Sequence, residues 1–142
     1  YYSGGITSLS DGYPVLMVSD ASLKLLNQRA GLTLEMARFR PNLVISGCSA
    51  HEEDRMARMD INGVILRGVK PCARCVVTTQ DPETGAKGKE PLQTLATYRK
   101  LDNKLYFGEN VVPVNTGIIR VGDAVRVLEW KEGPEFRKRG EL

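Results

Sequence analysis

Apolar residues along the chain come in short runs separated by Gly, Pro, Asn and Asp, and only two stretches repeat at helical spacing. Residues 14–18, Pro-Val-Leu-Met-Val, are an apolar run of the kind a buried strand uses, and the run stops at Ser19-Asp20. The period then changes. Leu23, Leu26 and Ala30 recur at three- and four-residue steps, Asp20 is placed to accept a backbone N–H of the first turn, and Gly31 sits where a left-handed residue closes a helix. The pattern predicts a helix over about 21–30. Residues 42–46 read as a second buried strand with Pro41 setting its start, and a polar loop follows over 48–58. Asn62-Gly63 between β-branched residues predicts a hairpin, because a type I′ turn needs positive φ at both central positions.

The strand after that turn is expected to run through Val69 and to break at Pro71-Cys72-Ala73-Arg74-Cys75. Residues 76–79 return to strand composition before a turn at 81–85. A second helix is expected over 90–100, with Pro91 at its first position and Leu92, Leu95 and Tyr98 on successive turns. Residues 105–107, 111–114 and 118–130 read as further strands. Many short strands and two helices predict a mainly β, α+β fold: a closed or nearly closed barrel with flanking helices, which leaves few exposed edges. Residues 1–12, rich in Gly and Ser, read as a connector, 13–130 as one domain, and 131–142 as a charged tail.

Composition narrows the function classes. The chain has 142 residues, with 20 Lys and Arg against 17 Asp and Glu. That length makes about one domain with a core large enough to do without disulfides, so the three cysteines need another explanation. No apolar run approaches the roughly 18 residues a membrane helix needs, and no secretory pattern opens the chain, which points to a cytoplasmic protein. The surplus charge of +3 forms no basic stripe with aromatics, and Glu129, Glu132, Glu135 and Glu141 balance Lys131, Arg137, Lys138 and Arg139. Nucleic-acid binding by a charged arm is therefore not expected.

Cys72-x-x-Cys75 is the sharpest chemical feature. A thiol–disulfide redox pair would place its leading cysteine at a helix N-terminus, but four β-branched or strand-favouring residues follow here. A structural zinc site is a second reading, because Cys48-x-x-His51 and Cys72-x-x-Cys75 supply two ligand pairs; against it, His51 lies in an acidic loop where a solvated imidazole is the usual outcome. A third is a single thiolate holding a softer or redox-active metal, with Arg74 favouring the ionised sulfur. Spacing does not choose among them. Arg40 offers a planar, permanently charged fork suited to phosphate, and Asn42 an amide that can read ring N–H or C=O groups, both leading straight into a strand. Ser22, in the first helical turn, adjoins free backbone N–H groups of the kind that bind anions. Asp54 and Asp81 lie near these motifs, where either could pass protons, but both read as solvated surface acids.

Arg38-Phe39-Arg40-Pro41-Asn42-Leu43-Val44-Ile45-Ser46-Gly47-Cys48, then Pro71-Cys72-Ala73-Arg74-Cys75 with Thr78-Thr79 and Asp81-Pro82-Glu83-Thr84-Gly85, then Lys89-Glu90-Pro91-Leu92 with Tyr98-Arg99, closely resemble MOSC domains, the C-terminal domains of molybdenum cofactor sulfurases. The likeness runs over about 12–128 and is nearest to the amidoxime-reducing branch and its bacterial relatives. It implies a MOSC-type β-barrel that binds a molybdopterin-type molybdenum cofactor, with Cys75 as the catalytic protein ligand to the metal. It further implies that Ser22, Arg40, Asn42 and Arg74 hold the pterin and phosphate. Members of the branch reduce N-hydroxylated compounds (amidoximes, hydroxylamines, N-hydroxylated bases), which implies an electron-donating reductase or iron–sulfur protein as partner. The resemblance also implies an N-terminal β-domain ahead of residues 1–12. Met56 stands where the branch commonly has tryptophan, and no Cys-rich segment follows Trp130. The alternatives are a non-enzymatic carrier of cofactor or sulfur and the zinc module.

Overall fold

A computed structural model describes residues 6–9, 15–74 and 90–136. Strand β2 (Val15–Ser19) shows why its run is apolar throughout, since both of its faces are covered. Val15 and Met17 point into one core with Leu43, Ile45, Met59, Leu66 and Val111, while Leu16 and Val18 meet Leu26, Phe39, Leu95 and Phe107 in a second core. A sheet thus lies between two apolar layers, the first enclosed by its own curl and the second roofed by helices.

Nine strands are seen among the described residues: β1 (Ile6–Leu9), β2, β3 (Leu43–Ile45), β4 (Met56–Ile61), β5 (Val64–Arg74), β6 (Lys100–Leu101), β7 (Lys104–Pro113), β8 (Gly117–Arg120) and β9 (Val125–Trp130). The main sheet runs β3-β2-β7-β5-β4-β9, with β6 on β7 and β1 paired separately to β8. Only β2 and β3 are parallel; every other pairing is antiparallel. The fold is mainly β with two flanking helices, as the pattern of runs predicts. In place of full closure, the main sheet of the described residues is a curled half-barrel whose path ends on β3 and β9.

Helix α1 (Asp20–Ala30) ends at Gly31 in the left-handed region, as expected, but its N-cap is Ser19, whose hydroxyl accepts the Ser22 N–H; Asp20 is in the first turn. Helix α2 (Leu92–Tyr98) is shorter than expected, and the Glu90 carboxylate holds both the N–H and the hydroxyl of Thr94 at its start. The Asn62-Gly63 hairpin forms with φ of 51° and 84° at the two turn residues.

Three boundaries differ from expectation. Strand β5 does not stop at Val69 or break at Pro71; it continues through Arg74 because register shifts on both sides of Pro71 take up the missing N–H. The runs at 105–107 and 111–114 belong to one strand, β7, which continues through Gly108 at φ 88°, where its register against β5 shifts. The run at 118–130 is two strands, separated at residues 121–124. The polar loop is shortened by a 3-10 turn, Glu52–Arg55, after which β4 begins at Met56. The strand expected at 76–79 and the turn at 81–85 lie outside the described residues, as do Cys75 and Asp81. Residues 131–136, read as part of a tail, are tied to the body: the Lys131 N–H donates to the Arg55 carbonyl at 2.7 Å, and the Phe136 ring lies under the Arg99 guanidinium.

Candidate functional site

Strands β2 and β5 are both antiparallel to β7, and β3 is parallel to β2, so the carboxyl ends of β2, β3 and β5 lie at one end of the sheet. The segments that leave those ends carry most of the residues with chemistry: Ser19 and Ser22 after β2, Cys48 and His51 after β3, and Arg74 closing β5. Cys75 follows Arg74 in the chain.

Arg74 is the hub on the β5 side. Its Nη2 donates to the Phe39 carbonyl at 2.7 Å, its Nη1 approaches Cys72 Sγ at 3.4 Å, and its guanidinium stands 5.5 Å from the Phe39 ring centroid. Phe39 is itself fixed, fully buried with its ring 4.4 Å from that of Phe107. It ends the 3-10 turn Met36–Phe39, which Arg40 closes at φ 51° and which Pro41, having no N–H, cannot extend. The Arg40 guanidinium is exposed and takes no hydrogen bond or ion pair among the described residues. Asn42 lies further back, clamped to β2: its N–H donates to the Leu16 carbonyl at 2.9 Å and its Oδ1 accepts the Leu16 N–H at 2.8 Å. That leaves the amide Nδ2 as the group it can offer, a donor only.

On the β2 side the picture differs from expectation. Ser22 is fully buried, and the turn it opens is not an empty anion site. Its hydroxyl donates to Glu53 Oε2 at 2.7 Å and accepts the His51 N–H at 2.7 Å, while Glu53 Oε2 also accepts the Ser19 N–H at 2.8 Å. A carboxylate of the chain itself thus takes the Ser22 hydroxyl and the N–H of the N-cap, and Ser19 Oγ takes the Ser22 N–H. His51 is not solvated. Its imidazole packs against the rings of Tyr98 and Phe107 at 5.6 and 5.7 Å, and burial, helped by Arg99 and Arg29, pushes its pKa down to about 3. The half-buried Cys48 thiol is pushed up to about 11, by burial first and then by Glu53. Neither group of that pair is charged at neutral pH. Among the described residues no three His, Cys, Asp or Glu side chains converge as a metal cage would require.

Behind Ser22 lies an ionic cluster. Glu53 and Asp54, from the acidic run read as surface, are buried, as is Glu109 in the middle of β7. Arg99 Nη2 stands 2.7 Å from Asp54 Oδ2, and Lys131 Nζ stands 2.6 Å from Glu109 Oε2. Burial raises Asp54 to about 6 against the pull of Arg99, and raises Glu109 to about 7 against the pull of Lys131. The one signal for this in the sequence is Glu109, a carboxylate in mid-strand among apolar neighbours.

The family model described as MOSC domain matches residues 5–126. Human mitochondrial amidoxime-reducing component 1 is 45% identical over 84% of the chain, and human mitochondrial amidoxime reducing component 2 is 42% identical over 81%. The component 1 protein of Xenopus laevis is 38% identical over 84% of the chain. The chain spans 37–38% of the length of these curated relatives. Among solved structures, YiiM from Geobacillus stearothermophilus superposes with a TM-score of 0.60 at 12% identity, covering 89% of this chain and 62% of that one, which is a likeness of fold.

Proposed function

The chain belongs to the MOSC domain family, and from that premise we propose that it is the cofactor-binding part of a molybdenum-dependent reductase of N-hydroxylated compounds. The observation that carries the reading is the Arg74–Phe39 clamp. It joins the residue immediately before Cys75 in the chain to the residue immediately before Arg40, so the strand end that leads to the proposed metal ligand meets the turn that leads to the proposed phosphate partner. Preorganisation of that kind is what a bound group with an anion at one end and a metal at the other requires.

The donor set fits a molybdopterin-type molybdenum cofactor. Arg40 has an uncommitted fork for phosphate oxygens, Asn42 has one uncommitted N–H pair for a pterin carbonyl or ring nitrogen, and Cys75 has sulfur for the metal. Arg74 has two nitrogens committed to the protein, and its part is to orient its neighbour. Ser22 is committed to Glu53 and acts by fixing the first turn of α1. When bound, the cofactor would supply the two electrons that break the N–O bond and would take up its oxygen. The protein's share is to hold that group, to leave a coordination position open, and to supply protons.

A protein that supplies only these functions depends on an outside electron donor, which we take to be a reductase or an iron–sulfur protein. The test is an assay of cofactor-loaded protein with a chemical reductant and an aryl amidoxime, following the amidine by chromatography. Stoichiometric molybdenum and amidine formation above a Cys75→Ser control are expected. Full loading with no turnover of amidoxime, hydroxylamine or N-hydroxylated base would replace the reductase reading with that of a cofactor carrier.

A further inference from the structure

The surplus charge of the chain has a place. Register puts Arg74, Leu105 and Lys100 in one row across β5, β7 and β6, with Leu101 opposite Lys104 in the next. The backbone of Lys100 therefore lies two strand spacings, about 10 Å, from that of Arg74. On the other side of Arg74, the clamp to the Phe39 carbonyl brings up the segment 35–40. The β6–β7 hairpin and that segment thus flank the strand end from which the chain goes on to Cys75.

Along this rim Arg38, Arg40, Arg74, Lys100 and Lys104 have only Glu35 and Asp102 as acids of the same segments; five against two leaves +3, the whole excess of 20 basic over 17 acidic residues. The segment that follows Arg74, residues 75–89, is balanced in itself, with Lys87 and Lys89 against Asp81 and Glu83. On the β2 side of the same end stand acids, Asp20 and Glu52 with the buried Glu53 and Asp54, so this end of the sheet is positive at β6–β7 and negative at the start of α1. Lys100 and Lys104 are exposed and take no ion pair among the described residues. The turn between them is fixed, because Asp102 and Asn103 both stand in the left-handed region, at φ 52° and 64°, as a two-residue hairpin loop requires.

Neither lysine belongs to the clamp or to the donor set for the cofactor, and a phosphate on Arg40 would neutralise that side of the rim. The lysines remain to face a partner. Reduction of R–NH–OH to R–NH2 and water takes up two electrons and two protons; the protons come from solvent and the electrons from another protein. Interfaces between electron-transfer partners are small, and opposite charge is what steers such partners together. Resting on the reductase reading, we propose that the β6–β7 hairpin, through Lys100 and Lys104, is the docking lip for an acidic electron-carrier protein. A carrier seated there is held at the end of the sheet where β5 leads to Cys75, and the half-buried Leu101 between the two lysines gives the contact an apolar centre.

The test uses a plant-type two-iron ferredoxin, kept reduced by NADPH and its reductase, as the acidic carrier. In cofactor-loaded protein with an aryl amidoxime, Lys100→Glu combined with Lys104→Glu lowers kcat/KM for ferredoxin about 10-fold or more at about 10 mM salt, and the difference closes near about 1 M, where charge is screened. Turnover driven by a small chemical reductant stays within about twofold of the parent. Lys100→Gln combined with Lys104→Gln, half the change in charge, gives a smaller loss of the same kind and guards against a folding defect in the reversal. Equal losses with both reductants in the Gln pair, a ferredoxin-driven rate that ignores the lysines, or no ferredoxin-driven turnover in a parent that the chemical reductant does drive, overturns the proposal. If the chemical reductant drives none, the reductase reading fails and the docking is judged by binding. There the amide resonances of residues 100–104 in isotope-labelled protein shift or broaden as oxidised ferredoxin is added, and do not in the Glu pair. Changes centred elsewhere, or none, overturn the docking lip independently of activity.

Discussion

Glu109 makes the energetics of the buried acids measurable. Its side chain has no exposure, its one partner is Lys131 Nζ at 2.6 Å, and its carboxyl is raised from 4.5 to about 7, by burial first. A carboxyl raised in the folded state binds more protons there than in the unfolded chain between those two values, so its stabilising effect is complete below about pH 4.5 and is lost as pH rises toward 7. At about 1.4 kcal/mol per pH unit, that loss is about 3 kcal/mol. Glu109→Gln removes it. Lys131 is then left without its partner, but its side chain is 28% exposed and can turn to water, so the penalty of an unpaired buried cation is avoided. Whatever constant change in stability the substitution brings, the difference between variant and parent should move by about 3 kcal/mol in favour of the variant between about pH 4.5 and about pH 8. Urea unfolding at the two pH values measures it. Parallel stability curves for the two proteins would refute the assignment of a raised, buried carboxyl.

Cys75→Ser should abolish molybdenum retention while Cys72→Ser keeps most of it, measured by plasma mass spectrometry, because one thiolate is proposed to hold the metal and Cys72 is engaged with Arg74. Arg40→Ala should lower cofactor content while changing unfolding free energy by less than about 0.5 kcal/mol, since the side chain is exposed and unpaired among the described residues. Gly68→Ala should destabilise by about 3 kcal/mol, seen as a lowered thermal midpoint, because a Cβ there would overlap the backbone carbonyl oxygen of Met56 on the neighbouring strand.

Local signals carried well where a residue type has one structural use. Asn62-Gly63 turns where it must, and Gly31 ends α1. They failed where tertiary pairing overrides propensity. Pro71 reads as a break, yet register shifts let β5 run past it, and β7 continues through Gly108. The site shows the same division. That Arg40 and Asn42 lead into a buried strand was legible from the apolar run after them, whereas nothing local reveals that Arg74 reaches back 35 residues to the Phe39 carbonyl. The run Glu52-Glu53-Asp54 misled because adjacent acids normally face water; only the meeting of the 3-10 turn with β2, α2 and the segment after β9 makes two of them interior. His51 sits in that same turn and is enclosed with them.

The contacts of Lys131 and Phe136 also bear on where a recombinant fragment can be cut. Ending a clone at Trp130, the last residue of β9, would delete the ammonium opposite Glu109 and the ring beneath Arg99, and would uncover the side of the 3-10 turn that Gly133 covers. A soluble, homogeneous preparation should therefore extend at least to Phe136, six residues beyond the point at which the strands themselves are complete.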